Sequence, residues 1–237
     1  MVMVAFLDLG GTLWPNTWPP RAWDREERVA RLCKLVPSLA KFRAAELVDI
    51  LSTVDHPASP VQQTVALIDQ AVRRCQIGTD VPAEAVIDAM CLPALGRAEL
   101  FPGAHELLAG LAGRTRVVVV SNTIWRRRQS LRRDLEQFGL GAYVSDYVMS
   151  LDVGWRKPGR RFFASALATA RAPARQCVMV GDSEANDIEP ALALGMAAVR
   201  VAIEEPRPAR SAAANVCTSL EQVAEILLTQ GASASDG

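Results

Sequence analysis

The chain has 237 residues, half of them hydrophobic, enough to bury one large domain or a core with a smaller partner. Its 26 Lys and Arg balance 26 Asp and Glu, which gives no electrostatic reason to expect nucleic acid or an anionic membrane as partner. Five cysteines without a CxxC pair, and only two histidines, leave a zinc cluster short of ligands and read as reduced thiols of a cytoplasmic protein.

The first apolar run, MVAFLD at 3–8, ends in an acid and is followed by Gly10 and Gly11, which predicts a buried strand. Asp8 also interrupts any secretory signal, and no stretch approaches the length of a membrane span. From 15 to 97 no long β-branched run occurs. Trp23–Val36, Leu39–Val54 and Pro60–Gln76 carry apolar residues at helical spacing, and a further helix is expected after Pro82. Ser38 and Ser59 are predicted N-caps, with Pro60 at a first helical position. Beyond this module, helical patterns at roughly 104–112, 124–138, 160–171 and 187–195 alternate with the runs RVVVVS (116–121), CVMVG (177–181) and AAVRVA (197–202). Continuous β-branched runs separated by helices predict parallel strands covered on both faces. The fold class is therefore α/β: a Rossmann-like doubly wound parallel sheet core, 1–14 and 98–229, with an inserted all-α helical domain at 15–97. An insertion after the first strand stands above the carboxyl ends of the strands, where open α/β sheets place their sites. From Thr229 the residues TQGASASDG are small and polar, which predicts a disordered tail over 230–237.

Four segments at or just beyond predicted strand ends carry polar residues. Asp8-Leu9-Gly10-Gly11-Thr12-Leu13 exposes a carboxylate beside open backbone, although many strands end in Asp and then turn. Ser121-Asn122-Thr123 joins a valine strand to a predicted helix start, which suits a phosphate and equally suits a plain cap. Lys157, just before Pro158, could neutralise a phosphate or be an ordinary surface lysine. Gly181-Asp182-Ser183-Glu184-Ala185-Asn186-Asp187 places two acids across a strand-to-helix turn, as hard oxygen ligands for Mg²⁺ or as cap and first-turn acids. Each has a bland explanation alone. An acid, a hydroxyl, a lysine and a diacid at four successive strand ends do not arise from independent caps.

In this order the segments resemble the haloacid dehalogenase (HAD) superfamily, whose motifs are DxDGT, a Ser/Thr, a Lys and GDxxxxD; here they read DLGGTL (8–13), VVVVSNT (117–123), GWRKP (154–158) and VMVGDSEANDIEPALALGM (178–196). The stretch Phe101-Pro102-Gly103-Ala104-His105-Glu106-Leu107-Leu108 is also similar, and the module at 15–97 matches the family's cap in position. The resemblance implies a hydrolase in which Asp8 attacks phosphorus to form an aspartyl-phosphate. It implies Mg²⁺ held by Asp8, the Gly10 carbonyl and Asp182, with Asp187 holding a water on the metal or the lysine. Ser121, the Asn122 backbone and Lys157 would clamp the phosphoryl oxygens.

One departure stands out: the second Asp of DxDGT, which protonates the leaving group, is Gly10. A good leaving group, such as an anomeric or acyl phosphate, would need no such acid. Otherwise Asp24, Asp55, His56 or His105 would have to supply the proton. The expected function is a phosphatase of a small phosphorylated metabolite, monomeric or homodimeric. The alternative is a catalytically impaired relative that binds a phosphorylated ligand or a protein partner. A dehalogenase, which would show DxYGT, a phosphonatase using Lys34 or Lys41, and an actin-like sugar kinase fit less well. Arg126, Arg127, Arg128, Arg132 and Arg133 are expected on a solvated helix face with Asp134 and Glu136. Trp14, Trp18 and Trp23 either wall the pocket or pack core against insertion.

Overall fold

The computed structural model describes residues 3–16, 24–52, 61–77, 81–123 and 125–233. Six strands form one sheet: β1 (Met3–Leu7), β2 (Thr115–Ser121), β3 (Val144–Met149), β4 (Cys177–Gly181), β5 (Ala197–Val201) and β6 (Asn215–Cys217). Their order is β3-β2-β1-β4-β5-β6, and every pairing is parallel. Strand order reverses beside β1, which opens a crevice at the carboxyl ends of β1, β2 and β4.

Alternation along each strand divides the core between two faces. Ala5, Leu7, Val117 and Val119 point to one side, where Leu107 and Leu108 of α5 (Ala104–Leu111), Leu131 and Leu135 of α6 (Arg128–Gln137), and Leu220 and Val223 of α10 (Leu220–Ser233) cover them. Val4, Phe6, Val118 and Val120 point to the other, under Phe162, Phe163 and Ala166 of α8 (Arg160–Ala170) and Ala191 of α9 (Glu189–Ala193). Both faces are dry, so the valine run needs no polar alternation.

Between β1 and β2 stand α1 (Asp24–Leu35), α2 (Lys41–Ser52), α3 (Val61–Arg74) and α4 (Ala83–Met90). They share a separate hydrophobic cluster around Leu32, Leu47, Leu51, Ile68 and Ile87, into which Leu151 of the short helix α7 (Ser150–Val153) also packs.

Several sequence expectations change. Ser38 does not cap α2: the Leu39 N–H closes a tight turn on the Val36 carbonyl at 2.9 Å, so the helix begins at Lys41 after Ala40. Ser59 and Pro60 lie outside the described residues. The helix predicted over 124–138 starts only at Arg128, because Asp152 accepts its N–H at 2.7 Å and Ser150 holds the Thr123 N–H at 2.9 Å. Ser121 therefore ends β2 and Asn122 sits in the loop beyond it, with no helix N-terminus beside them among the described residues. Helix α10 runs on to Ser233, past the point where the polar tail was expected to begin; 234–237 lie outside the described residues.

Asp134 ties the return from the helical insertion to α6. It is 4% exposed and accepts from the Ala94 N–H at 2.9 Å and from Arg126 Nε at 2.7 Å. Asp134→Ala takes the acceptor from the Ala94 N–H and the carboxylate from a part-buried guanidinium, and is expected to lower the free energy of unfolding by about 1–3 kcal/mol in urea titration. A loss within about 0.5 kcal/mol, the range of an ordinary surface substitution, would contradict this reading.

Candidate active site

The loops after β1, β2 and β4 and the loop entering α8 converge on one cavity of about 600 Å³. Asp8 sits at its floor, 8% exposed, with its N–H donating to the Val180 carbonyl at 2.9 Å. Lys157 Nζ lies 2.8 Å from Asp8 Oδ1 and 2.6 Å from Asp187 Oδ1, and donates to the Val120 carbonyl at 3.3 Å. An ammonium has three protons, so each is committed. The lysine is not at the surface: its side chain is 2% exposed. Burial alone would lower its ammonium, but Asp187 and Asp8 outweigh it and hold it above the usual lysine value.

Asp187 is wholly buried; its second oxygen accepts the Ser183 N–H at 3.1 Å. It sits on a π-helical turn, Glu184–Ile188, a widening often found at functional sites. Burial pushes its carboxyl above the usual range, and Lys157 counters this only in part. Asp182 is likewise raised, by burial first and then by the nearby Asp8 charge.

One oxygen from each of Asp8, Asp182 and Asp187 lies within 4.8 Å of the others. These hard donors fit Mg²⁺. Both Asp187 oxygens already accept hydrogen bonds, so Asp8 and Asp182 are the better placed ligands. Gly11 permits this closeness. Its φ is +65°, and an added Cβ would stand 2.5 Å from Asp182 Oδ2.

Ser121 ends β2 at the cavity wall, 5% exposed. The Asn122 side chain is turned to a task that spacing did not suggest: it accepts the Lys157 N–H at 2.8 Å and donates to the Lys157 carbonyl at 2.9 Å. It thereby fixes the backbone that carries the lysine. Asn16 was not foreseen at all. Its Nδ2 donates to Asp182 Oδ2 at 2.6 Å, and its Oδ1 would lie 2.6 Å from a Cβ added at Gly10. Asn16 thus occupies the space into which an acid at position 10 would grow. No periodicity marks such a loop residue.

Neither Asp24 nor His105 lines the cavity, and Asp24 is paired with Arg97 at 2.9 Å. Asp55 and His56 lie outside the described residues, as do Trp18 and Trp23. Trp14 lines the wall while packing on Phe138, with ring centroids 6.1 Å apart. The arginine cluster is not one solvated helix face. Arg126 and Arg127 precede α6, where Arg126 pairs with Asp134 and lines the cavity, and Arg127 approaches Asp152 at 3.4 Å. Arg28 of α1 and Arg156 also line the cavity.

The family model for haloacid dehalogenase-like hydrolases matches residues 2–195. A pyrimidine 5'-nucleotidase, YjjG of Escherichia coli (strain K12), is 36% identical over 118 residues. That match spans 48% of this chain and 48% of the relative, about half the length of each. A HAD phosphatase from Thermococcus onnurineus shares the fold with a TM-score of 0.61 and 20% identity, covering 96% of this chain and 98% of that one. A 2-haloacid dehalogenase from Pseudomonas syringae pv. Tomato DC3000 does so with a TM-score of 0.63 and 20% identity, covering 97% and 100%.

Proposed function

This chain belongs to the haloacid dehalogenase-like hydrolase family, and from that premise we propose that it is a cytoplasmic, Mg²⁺-dependent phosphatase of a small phosphorylated metabolite. The observation that carries the reading is the buried Asp8–Lys157–Asp187 triad with Asp182 beside it at the carboxyl ends of the strands. The core is 1–14 with 98–229, and 15–97 is the cap that selects substrate, in keeping with the separate cluster of α1–α4.

Asp8 attacks phosphorus, the bond to the leaving oxygen breaks, and an aspartyl-phosphate forms. Water then splits that acyl phosphate, releasing inorganic phosphate and restoring the carboxylate. Lys157 holds Asp8 in line and faces the phosphoryl charge, while Ser121 donates to a phosphoryl oxygen. Mg²⁺ between Asp8, the Gly10 carbonyl and Asp182 would let an anionic nucleophile approach an anionic phosphoryl group. Asp187 keeps the lysine charged and oriented.

The test is hydrolysis of sugar phosphates, acyl phosphates and pyrimidine 5'-nucleotides with Mg²⁺ and after its removal by chelator. Turnover lost on chelation and restored by Mg²⁺ is expected. A folded, Mg²⁺-binding protein that hydrolyses none of them would favour the reading as a phosphoryl-binding protein.

Gly10 leaves the leaving group without its usual acid. From sequence, Gly10→Asp is predicted to raise activity on a poor leaving group such as an alkyl phosphate. Asn16 changes that expectation. An Asp side chain at position 10 must displace the Asn16 amide and break its bond to Asp182. Gly10→Asp alone is therefore expected to gain little on propyl phosphate. Gly10→Asp with Asn16→Ala is expected to gain about 10²-fold or more in kcat, within the range of general acid catalysis. An equal gain from the single substitution would show that Asn16 does not hold that space.

A further inference from the structure

The cavity carries more positive charge than one phosphoryl group uses. Lys157 is committed to Asp8 and Asp187, and Arg126 to Asp134 at 2.7 Å. Arg97, behind the wall, is held by Asp24 and Glu27. Arg28 lines the cavity from α1, and no carboxylate among the described residues forms an ion pair with it. Its Nε donates to the Met90 carbonyl at 3.2 Å, which anchors the guanidinium at one corner and leaves the two terminal nitrogens for another partner. Burial lowers this guanidinium below its usual value; Asp24 offsets that in part, while Arg97 and Arg126 lower it further. Arg97 and Arg126 have carboxylates of their own, whereas this half-buried cation has no ion pair among the described residues, and a planar oxyanion is what its fork fits.

We propose that Arg28 holds a second anionic group of the substrate, a carboxylate or a further phosphoryl, while the reacting phosphoryl group lies at Asp8. The inference rests on the reading of the cavity floor as a phosphoryl site. A cavity of about 600 Å³ has room for both ends of such a molecule. The aromatic residues of the wall do not favour a stacked base instead. Trp14 is 4% exposed and packs on Phe138, and Trp125 packs against the hydrophobic cluster of the helical insertion.

A matched series of stable phosphonates tests this without turnover. Propylphosphonate carries no second anion, 3-phosphonopropanoate adds a carboxylate, and propane-1,3-diylbisphosphonate adds a second phosphoryl. Calorimetric titration of the Mg²⁺-loaded protein is expected to show at least one of the latter two binding about 10- to 100-fold tighter than propylphosphonate, the range of one charge-assisted contact. The better of the two identifies the second group. Arg28→Met is expected to bring that ratio close to one, and Arg28→Lys to keep part of it. A ratio of dissociation constants does not depend on the fraction folded, so loss of stability cannot imitate the effect.

Equal affinities in the wild type, or a preference that survives Arg28→Met, would overturn the proposal. So would a higher kcat/KM for uridine 5'-monophosphate than for 3-phosphooxypropanoate. Hydrolysis of acetyl phosphate, whose carboxylate leaving group needs no acid, followed in parallel, separates the two readings. Turnover with equal phosphonate affinities sinks the Arg28 proposal alone. An affinity difference without turnover sinks the phosphatase reading alone.

Discussion

Asp8→Asn is expected to reduce turnover of every substrate by at least about 10⁴-fold, the scale on which enzymes lose rate when a covalent nucleophile is removed. The amide keeps the shape of the carboxylate but is a far poorer nucleophile. It also removes one of the two carboxylate charges beside Lys157, whose Nζ lies 2.8 Å from Asp8 Oδ1. The fold should tolerate this, because Asp187 still holds the lysine at 2.6 Å. Circular dichroism and the unfolding midpoint of the variant should therefore stay near those of the wild type while activity disappears. Turnover that persisted in a folded Asp8→Asn protein would remove Asp8 from the nucleophile's place.

Lys157→Met should damage both stability and chemistry. Without the ammonium, two carboxylates face each other in a cavity floor where Asp187 is 0% exposed. Leaving a buried charge without its partner costs about 3–5 kcal/mol, which for a chain of this size lowers the thermal midpoint by roughly 6–20 °C. Adding Asp187→Leu to Lys157→Met removes the stranded charge and is expected to recover much of that stability. It should recover no activity, since nothing then orients Asp8 or faces the phosphoryl charge. A double variant with near wild-type turnover would reduce Lys157 and Asp187 to a structural ion pair.

The parts of this molecule legible in its sequence are those whose neighbours lie close along the chain. The strands β1, β2, β4 and β5 are continuous apolar runs because helices cover both faces of the sheet. Strand β3 is different: its Val144, Ser145 and Asp146 are partly or fully exposed at the sheet edge, so its first half carries no apolar signal. Strand β6 has only three residues, Asn215–Cys217, too few for any pattern. Helix α10 follows it, and the small residues at its end read as a polar tail instead of a last turn.

The candidate site divides in the same way. Asp8, Lys157, Asp182 and Asp187 stood out by order along the chain, and the fold brings them together in one cavity, with Lys157 touching Asp8 and Asp187 and one oxygen of each acid within 4.8 Å of the others. Asn16 and Arg28 did not stand out, and Asn122 was expected to act through its backbone, not through the side chain that holds Lys157. Asn16 meets Asp182 across 166 residues, and Asn122 meets the Lys157 backbone across 35. Such contacts are made by chain crossings that local composition does not encode. Arg126 was assigned to a helix face because its charged neighbours suggested one, yet Asp152 and Ser150 delay the helix and turn Arg126 into the cavity.

The central claim is that Asp8 becomes phosphorylated. Acid quenching during turnover, followed by mass spectrometry of the peptide containing Asp8, measures this directly. The account predicts the mass gain of one phosphoryl group on that peptide in the wild type, lost on treatment with hydroxylamine and absent in Asp8→Asn. Full turnover with no phosphoryl group on Asp8 at any quench time, or the group on another residue, would contradict it.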